Sequence, residues 1–273
     1  GALVFDGPRL EQPLEILGAP VLELEVAADR PQAMIAVRLS DVGTDDAATR
    51  VSYGLLNLSH RESSAEPEPV EPGRFYRVRV RLNDVAQHFP AGHRLRVAVS
   101  TNYWPLASPS PEPVRLRIRT SASRFNLPVR PPRAADAELR PFDPPEGASP
   151  LAVTQLEEAH HDWRVIRELA ADRSTLEVVN DAGRFRLEDT GTVVTTRARE
   201  WYRSRANDHD SVEGETRWER AFERADWHVR TVTRTHLTSD RTHFHLNADL
   251  DALEDGERVF CRTFRYSIPR DGV

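Results

Sequence analysis

NDVAQHFPAGHRLRVAVSTNYWP, residues 83–105, is the stretch on which the reading of this chain turns. A strand comes in ending at Leu82, and a short irregular segment follows. Phe89-Pro90-Ala91-Gly92 then makes a tight turn, because Pro90 pre-sets φ and Gly92 permits the reversal. The turn launches a second strand, His93 to Ser100. Leu95, Val97 and Val99 fall on one face of it, and Arg94, Arg96 and Ala98 on the other. The strand closes on an aromatic pair, Tyr103-Trp104, fixed by Pro105.

The same grammar recurs on both sides. Before it, Leu14 to Leu17 leads through Gly18-Ala19-Pro20 into Val21 to Ala27. There Leu22, Leu24 and Val26 alternate with Glu23 and Glu25, the period of a half-buried strand. Ala33 to Leu39 and Arg50 to Leu58 follow, split by the turn-rich Gly43-Thr44-Asp45-Asp46. Glu62 to Gly73, rich in Pro and Glu, is an exposed loop. Arg74 to Leu82 sets Tyr76, Val78, Val80 and Leu82 against Arg77, Arg79 and Arg81. Val114, Leu116 and Ile118 alternate with Arg115, Arg117 and Arg119. About eight short strands, turn signals between them and no convincing helix predict an all-β, jelly-roll β-sandwich over residues 1–127.

Residues 128–150 carry seven prolines and read as a linker, or a strap across a surface. The remainder, 151–273, is predicted as a second antiparallel β domain, a meander or a partial barrel. Trp163 to Leu169 and Thr175 to Val179 flank a turn, and Phe185 to Leu187 and Val193 to Trp201 come next. A turn at Thr238 to Arg241 sets Leu237 opposite Thr242. Carried along, that register pairs Thr235 with Phe244, Val229 with Leu250, Arg230 with Asp249 and His228 with Asp251, placing opposite charges together. The last strand, Arg258 to Ile268, puts Phe260, Phe264, Tyr266 and Ile268 on one face.

Composition narrows the function classes. The chain has 273 residues and a net charge of -6, enough length for a real core and no global pull toward nucleic acid or an anionic membrane. All 37 basic residues are arginine, which removes lysine Schiff-base and lysine general-base chemistry. Cys261 is the one cysteine, so an internal disulfide and a cysteine zinc site are excluded, and a reducing, cytoplasmic setting is expected. No apolar run reaches the ~20 residues of a membrane span, and no signal peptide is expected. The start at Gly1-Ala2 without Met reads as a processed chain or an excised piece.

No catalytic motif stands out, and no cofactor is expected. Gly147-Ala148-Ser149-Pro150-Leu151 is the nearest approach to a nucleophile elbow. It lacks the second glycine and a following helix, and reads as linker. In the register above His236 faces His243, with His245 two residues on, a trio with the right chemistry for zinc or copper. A solvated polar face that also carries Arg234 and Asn247 explains the trio more simply. His88 and His93 read as turn-packing residues. Arg77, Arg79, Arg81, Arg94, Arg96, Arg115, Arg117 and Arg119 make a basic surface if their strands share one sheet. That surface suits solvated pairing with Glu first, docking of another domain second, and nucleic acid last, since no aromatic platform is interleaved. Tyr103-Trp104 reads as a sugar-stacking edge or as an interface anchor.

Four segments together resemble a known family. Leu14-Glu15-Ile16-Leu17-Gly18-Ala19-Pro20, Val37-Arg38-Leu39-Ser40-Asp41-Val42, Tyr53-Gly54-Leu55-Leu56 and Phe89-Pro90-Ala91-Gly92-His93-Arg94-Leu95-Arg96 are similar to the C-terminal, galactose-binding-like jelly roll of the X-Pro dipeptidyl-peptidase and cocaine-esterase family of serine hydrolases. The resemblance covers roughly residues 3–120, and the second half more loosely resembles an extra C-terminal β region. It implies an α/β-hydrolase catalytic domain in cis, which carries the triad and onto which this region packs, with a role in the substrate pocket or in homo-oligomer contacts. None of the family's catalytic residues maps onto this chain. The alternative from another class is a free-standing carbohydrate- or ligand-binding module.

Overall fold

The computed structural model of the chain describes residues 1–272. It divides into two compact units, Gly1–Asp143 joined by the stretch from Asp271, and Pro144–Arg270.

The first unit contains ten strands: β1 (Leu3–Asp6), β2 (Leu14–Gly18), β3 (Val21–Ala28), β4 (Met34–Val42), β5 (Ala48–Asn57), β6 (Tyr76–Arg81), β7 (Val85–Phe89), β8 (Arg94–Ser100), β9 (Leu116–Ile118) and β10 (Arg124–Asn126). One sheet runs β1-β8-β4-β5. A second runs β10-β3-β6 with β9 also on β3, and β2 pairs with β7 alone. All ladders are antiparallel. The core lies between the sheets. Leu22, Leu24 and Val26 of β3 and Val78 and Val80 of β6 meet Ile35, Val37 and Leu39 of β4, with Phe89 fully enclosed. The alternation in the sequence is therefore the alternation of the two faces, and the all-β sandwich stands.

Residues 85–89 are not an irregular segment. They form β7, with Phe89 opposite Leu14 and Val85 opposite Gly18. Leu3–Asp6 is a further unexpected strand, registered on β8 from Leu3–Val99 to Asp6–Arg96. After β10 the chain straps the β2 edge. Leu17 N–H donates to the Pro128 carbonyl at 3.0 Å and Arg130 N–H to the Glu15 carbonyl at 3.0 Å. Asp136 then accepts from the Arg133 N–H at 2.9 Å at the start of a short 3-10 turn, Ala134–Glu138.

The second unit is an eight-stranded antiparallel sheet. Its strands are β11 (Val153–Glu157), β12 (His160–Glu168), β13 (Arg173–Leu187), β14 (Val193–Arg205), β15 (Asp208–Arg224), β16 (Trp227–Ser239), β17 (His243–Glu254) and β18 (Glu257–Pro269). From β13 to β18 each strand pairs with the next, a meander. β13 carries β12 along its first part and β11 along its last. The changeover is a bulge between Asp181 and Arg184, at Gly183 with φ +70°. A side chain there would strike the Glu157 carbonyl, so the site requires glycine.

Two expectations for this sheet are corrected. Phe185–Leu187 is not a separate strand but the end of β13, and the long β15 had no counterpart in the sequence reading. The β16–β17 register is shifted by four residues: Leu237 faces Leu246, not Thr242, and Arg230 faces Leu253, not Asp249. The cause is Asp240. Its Oδ1 accepts from the N–H groups of Thr242 at 2.7 Å and His243 at 2.8 Å, an Asx turn. That turn confines the reversal to residues 240–242 and sets Ser239 opposite Phe244. A shift by an even number keeps each residue on its expected face.

Candidate docking surface

The arginines expected to share a surface are divided between two sheets. Arg77, Arg79 and Arg81 lie on β6 and Arg117 on β9, flanking β3, whereas Arg94 and Arg96 lie on β8 in the other sheet. Carboxylates meet them. Arg79 is registered opposite Glu23 and Arg77 opposite Glu25, Arg119 pairs with Glu25, and Arg81 grips Asp84 at 2.8 Å. On the other sheet Asp6 takes Arg96 at 2.6 Å and Arg94 at 3.2 Å, and Arg94 reaches Asp46 at 2.7 Å. The Arg96 hydrogen bond, outweighing burial and helped by Arg94, holds the Asp6 carboxyl down at about 2. Arg94 likewise lowers Asp46.

What stands out is on the outer face of the β1-β8-β4-β5 sheet. Arg38 of β4 is registered opposite Tyr53 of β5. Tyr103, from the loop after β8, packs edge-on against Tyr53 with ring centroids 5.5 Å apart and planes at 66°. Arg38 lies over the Tyr103 ring at 5.2 Å and Arg50 over the Tyr53 ring at 5.2 Å, within cation–π range. Arg50 also donates to the Tyr103 hydroxyl at 2.7 Å. The result is a rigid patch of two arginines and two tyrosines, the residue types that anchor protein interfaces. Tyr103 and Trp104 are half-buried rather than an exposed edge. Arg38 lies over one face of the Tyr103 ring and Tyr53 meets the ring at an edge-on angle. Sequence reasoning named Tyr103 but missed Arg38, Arg50 and Tyr53. The available signal was Arg38, a charge inside the apolar run Met34–Leu39.

The remaining candidates separate. His93 Nδ1 meets Asp41 at 2.9 Å, and His88 Nδ1 meets Glu15 at 3.3 Å. His236 is registered opposite Asn247, not His243, and its Nε2 lies 3.2 Å from Glu213. His245 Nε2 meets Asp240 at 2.8 Å, and His243 Nδ1 meets the Thr242 hydroxyl at 2.9 Å. The register shift is what parts the trio, and no group of three metal-type ligands converges among the described residues. Ser149 lies in exposed irregular chain with no helix after it. No helix among the described residues is long and apolar enough to cross a membrane. The patch on the first sheet can hold a protein surface; it brings together no nucleophile and base.

A family model described as the X-Pro dipeptidyl-peptidase C-terminal non-catalytic domain matches residues 1–166. Cocaine esterase of Rhodococcus sp. (strain MB1 Bresler) is 28% identical over 103 residues, 38% of this chain and 18% of the esterase. A Xaa-Pro dipeptidyl-peptidase of Lacticaseibacillus rhamnosus is 26% identical over 127 residues, 34% of this chain and 16% of the peptidase. The chain therefore spans less than a fifth of either relative. Among solved structures, an alpha-amino acid ester hydrolase superposes with a TM-score of 0.45 at 24% identity, covering 47% of this chain and 25% of that one.

Proposed function

Since the chain belongs to the family of X-Pro dipeptidyl-peptidase C-terminal non-catalytic domains, we propose that it is the accessory β region of an α/β-hydrolase of the X-Pro dipeptidyl-peptidase and cocaine-esterase kind. It packs in cis on the catalytic domain and shapes the substrate pocket, while the catalytic domain cleaves an ester, or a peptide bond after proline, through an acyl-enzyme. The observation that supports the packing role is the Arg38–Tyr103–Tyr53–Arg50 patch on the outer face of the first sheet. Its side chains are already locked by one another, so docking costs little rotamer entropy.

The test uses a fluorophosphonate serine-hydrolase probe on this 273-residue chain and on a longer product of the same gene. Labelling of the longer product alone is the expected result. In that product Arg50→Ala with Tyr103→Ala lowers kcat/KM about tenfold or more, since interface anchors of these types each contribute about 2 kcal/mol. Labelling of this chain itself, abolished by Ser149→Ala, would overturn the reading.

A further inference from the structure

One row of the second unit's sheet runs straight across three adjacent strands as arginine. Arg199 of β14 is registered opposite Arg217 of β15, which is opposite Arg234 of β16. Neighbouring strands stand about 4.8 Å apart, so the three guanidiniums cover about 10 Å. Like charges directly opposite one another destabilise a sheet.

The rows on either side obey the opposite rule. Arg197 is 3.3 Å from Asp181, Arg230 is 3.0 Å from Glu219 and Arg203 is 3.1 Å from Glu213. The arginine row itself ends on Asp249 of β17, opposite Arg234. Asp249 accepts from the Thr263 hydroxyl at 2.7 Å, and within the three arginines compensation is thin. Arg234 reaches Glu215 at 2.9 Å, Arg217 stands 3.8 Å from the same oxygen, and Arg203 takes the second oxygen at 3.2 Å. One buried carboxylate thus serves three guanidiniums. Arg199 has no hydrogen bond or close ion pair among the described residues, and its charge acts on Glu177 only at longer range, helping to hold that carboxyl low.

The row lines a hollow of about 550 Å³ whose wall carries five arginines, at 197, 199, 217, 230 and 234, against two carboxylates, Asp181 and Glu219. A sheet that neutralises its neighbouring rows leaves an excess of positive charge at this concavity.

We propose that the hollow binds a multivalent oxyanion, a small molecule carrying two or more phosphate or carboxylate groups about 5 Å apart. The planar fork of arginine matches both groups. Arg199 and Arg217 supply uncommitted donors, Arg234 closes the row, and the bound charge relieves the repulsion between them.

The test is calorimetric titration of the whole chain at low salt with tripolyphosphate, and with citrate in a second arm. One saturable site is expected, and the tighter arm assigns phosphate or carboxylate. Arg199→Gln and Arg217→Gln each weaken binding about tenfold or more, while Arg79→Gln on the first unit leaves it unchanged. A second readout separates binding from structure: removing Arg217 from a self-repelling row leaves Tm equal or higher, and saturating tripolyphosphate raises the wild-type Tm but not that of the variant. Equal affinity in wild type and Arg217→Gln, or no saturable binding of either anion at millimolar concentration, overturns the proposal. So does a fall in Tm for both variants without any change in anion affinity.

Discussion

The carbonyl oxygen of Arg81 stands 2.5 Å from the point where a side chain on Gly54 would begin. Gly54 lies on β5 and Arg81 on β6, strands of different sheets. Beside this point Asn83 N–H donates to the Tyr53 carbonyl at 2.9 Å, and the Ser52 hydroxyl donates to the Asn83 carbonyl at 2.7 Å. Backbone meets backbone there, so nothing flexible can move aside. Gly54→Ala is expected to cost about 1–3 kcal/mol, the usual penalty of overpacking. Urea unfolding followed on the first unit checks this; an unchanged midpoint would mean that the strands part freely.

Phe89 is the largest fully enclosed side chain and closes β7 where it faces Leu14. Phe89→Ala should cost about 3–5 kcal/mol, the transfer of a phenyl ring plus the cavity it leaves. Phe89→Leu should cost clearly less. Equal losses would show that the site collapses around either residue.

Glu177 is 7% exposed on β13. It accepts from Arg164 at 2.6 Å and from the Trp201 indole N–H at 3.0 Å. The Arg164 hydrogen bond, against burial and with help from Trp201, holds its pKa low. Glu177→Ala strands the indole donor and should cost about 1–3 kcal/mol, with a shift in Trp emission. Glu177→Gln keeps an acceptor and should lose less. Thermal melts of the two variants decide the point.

Asp6 sits at about 2 against an ordinary value of 3.8. A depressed carboxyl stabilises the fold above its unfolded value and stops doing so as pH falls through its folded one. The Asp6 contribution is therefore full above about pH 4 and fades between about pH 4 and 2. Asp240 is lowered too, chiefly by its hydrogen bond to His245, and acts in the same direction. Asp6→Asn should flatten the acid limb of a Tm–pH profile over that window and leave its shape near neutrality unchanged.

Legibility in the sequence tracked burial. Leu22, Leu24 and Val26, or Val78 and Val80, each carry one buried face, and their strands could be read directly. β7 was hidden because Gln87 sits in the same alternating set as Val85 and Phe89. β15 was hidden because both of its faces carry charge, Glu213, Glu215, Arg217 and Glu219 on one and Arg220 with Trp218 on the other, so no apolar period appears. The register of β16 and β17 depended on one carboxylate, Asp240, capping two N–H groups, a local choice that hydrophobic pattern does not encode. The docking patch was half legible: Tyr103 was visible as an aromatic next to proline, but its partners Arg38, Arg50 and Tyr53 come from two other strands. Only the ladder that sets Arg38 opposite Tyr53 brings them together.

The meander of the second unit has one further consequence, and it is calorimetric. Its buried apolar residues, among the described residues, are Val179, Ala198, Val212 and Ala221, while Trp163, Val165 and Leu169 are 75%, 70% and 84% exposed. Unfolding raises heat capacity through newly wetted apolar area and lowers it through newly wetted peptide. A sheet that is mostly ladder and little core should therefore unfold with a small heat-capacity step and a nearly flat stability curve. The sandwich, with its dense aliphatic interior, should have a strongly curved one. Cooling would then weaken the first unit while leaving the second almost untouched.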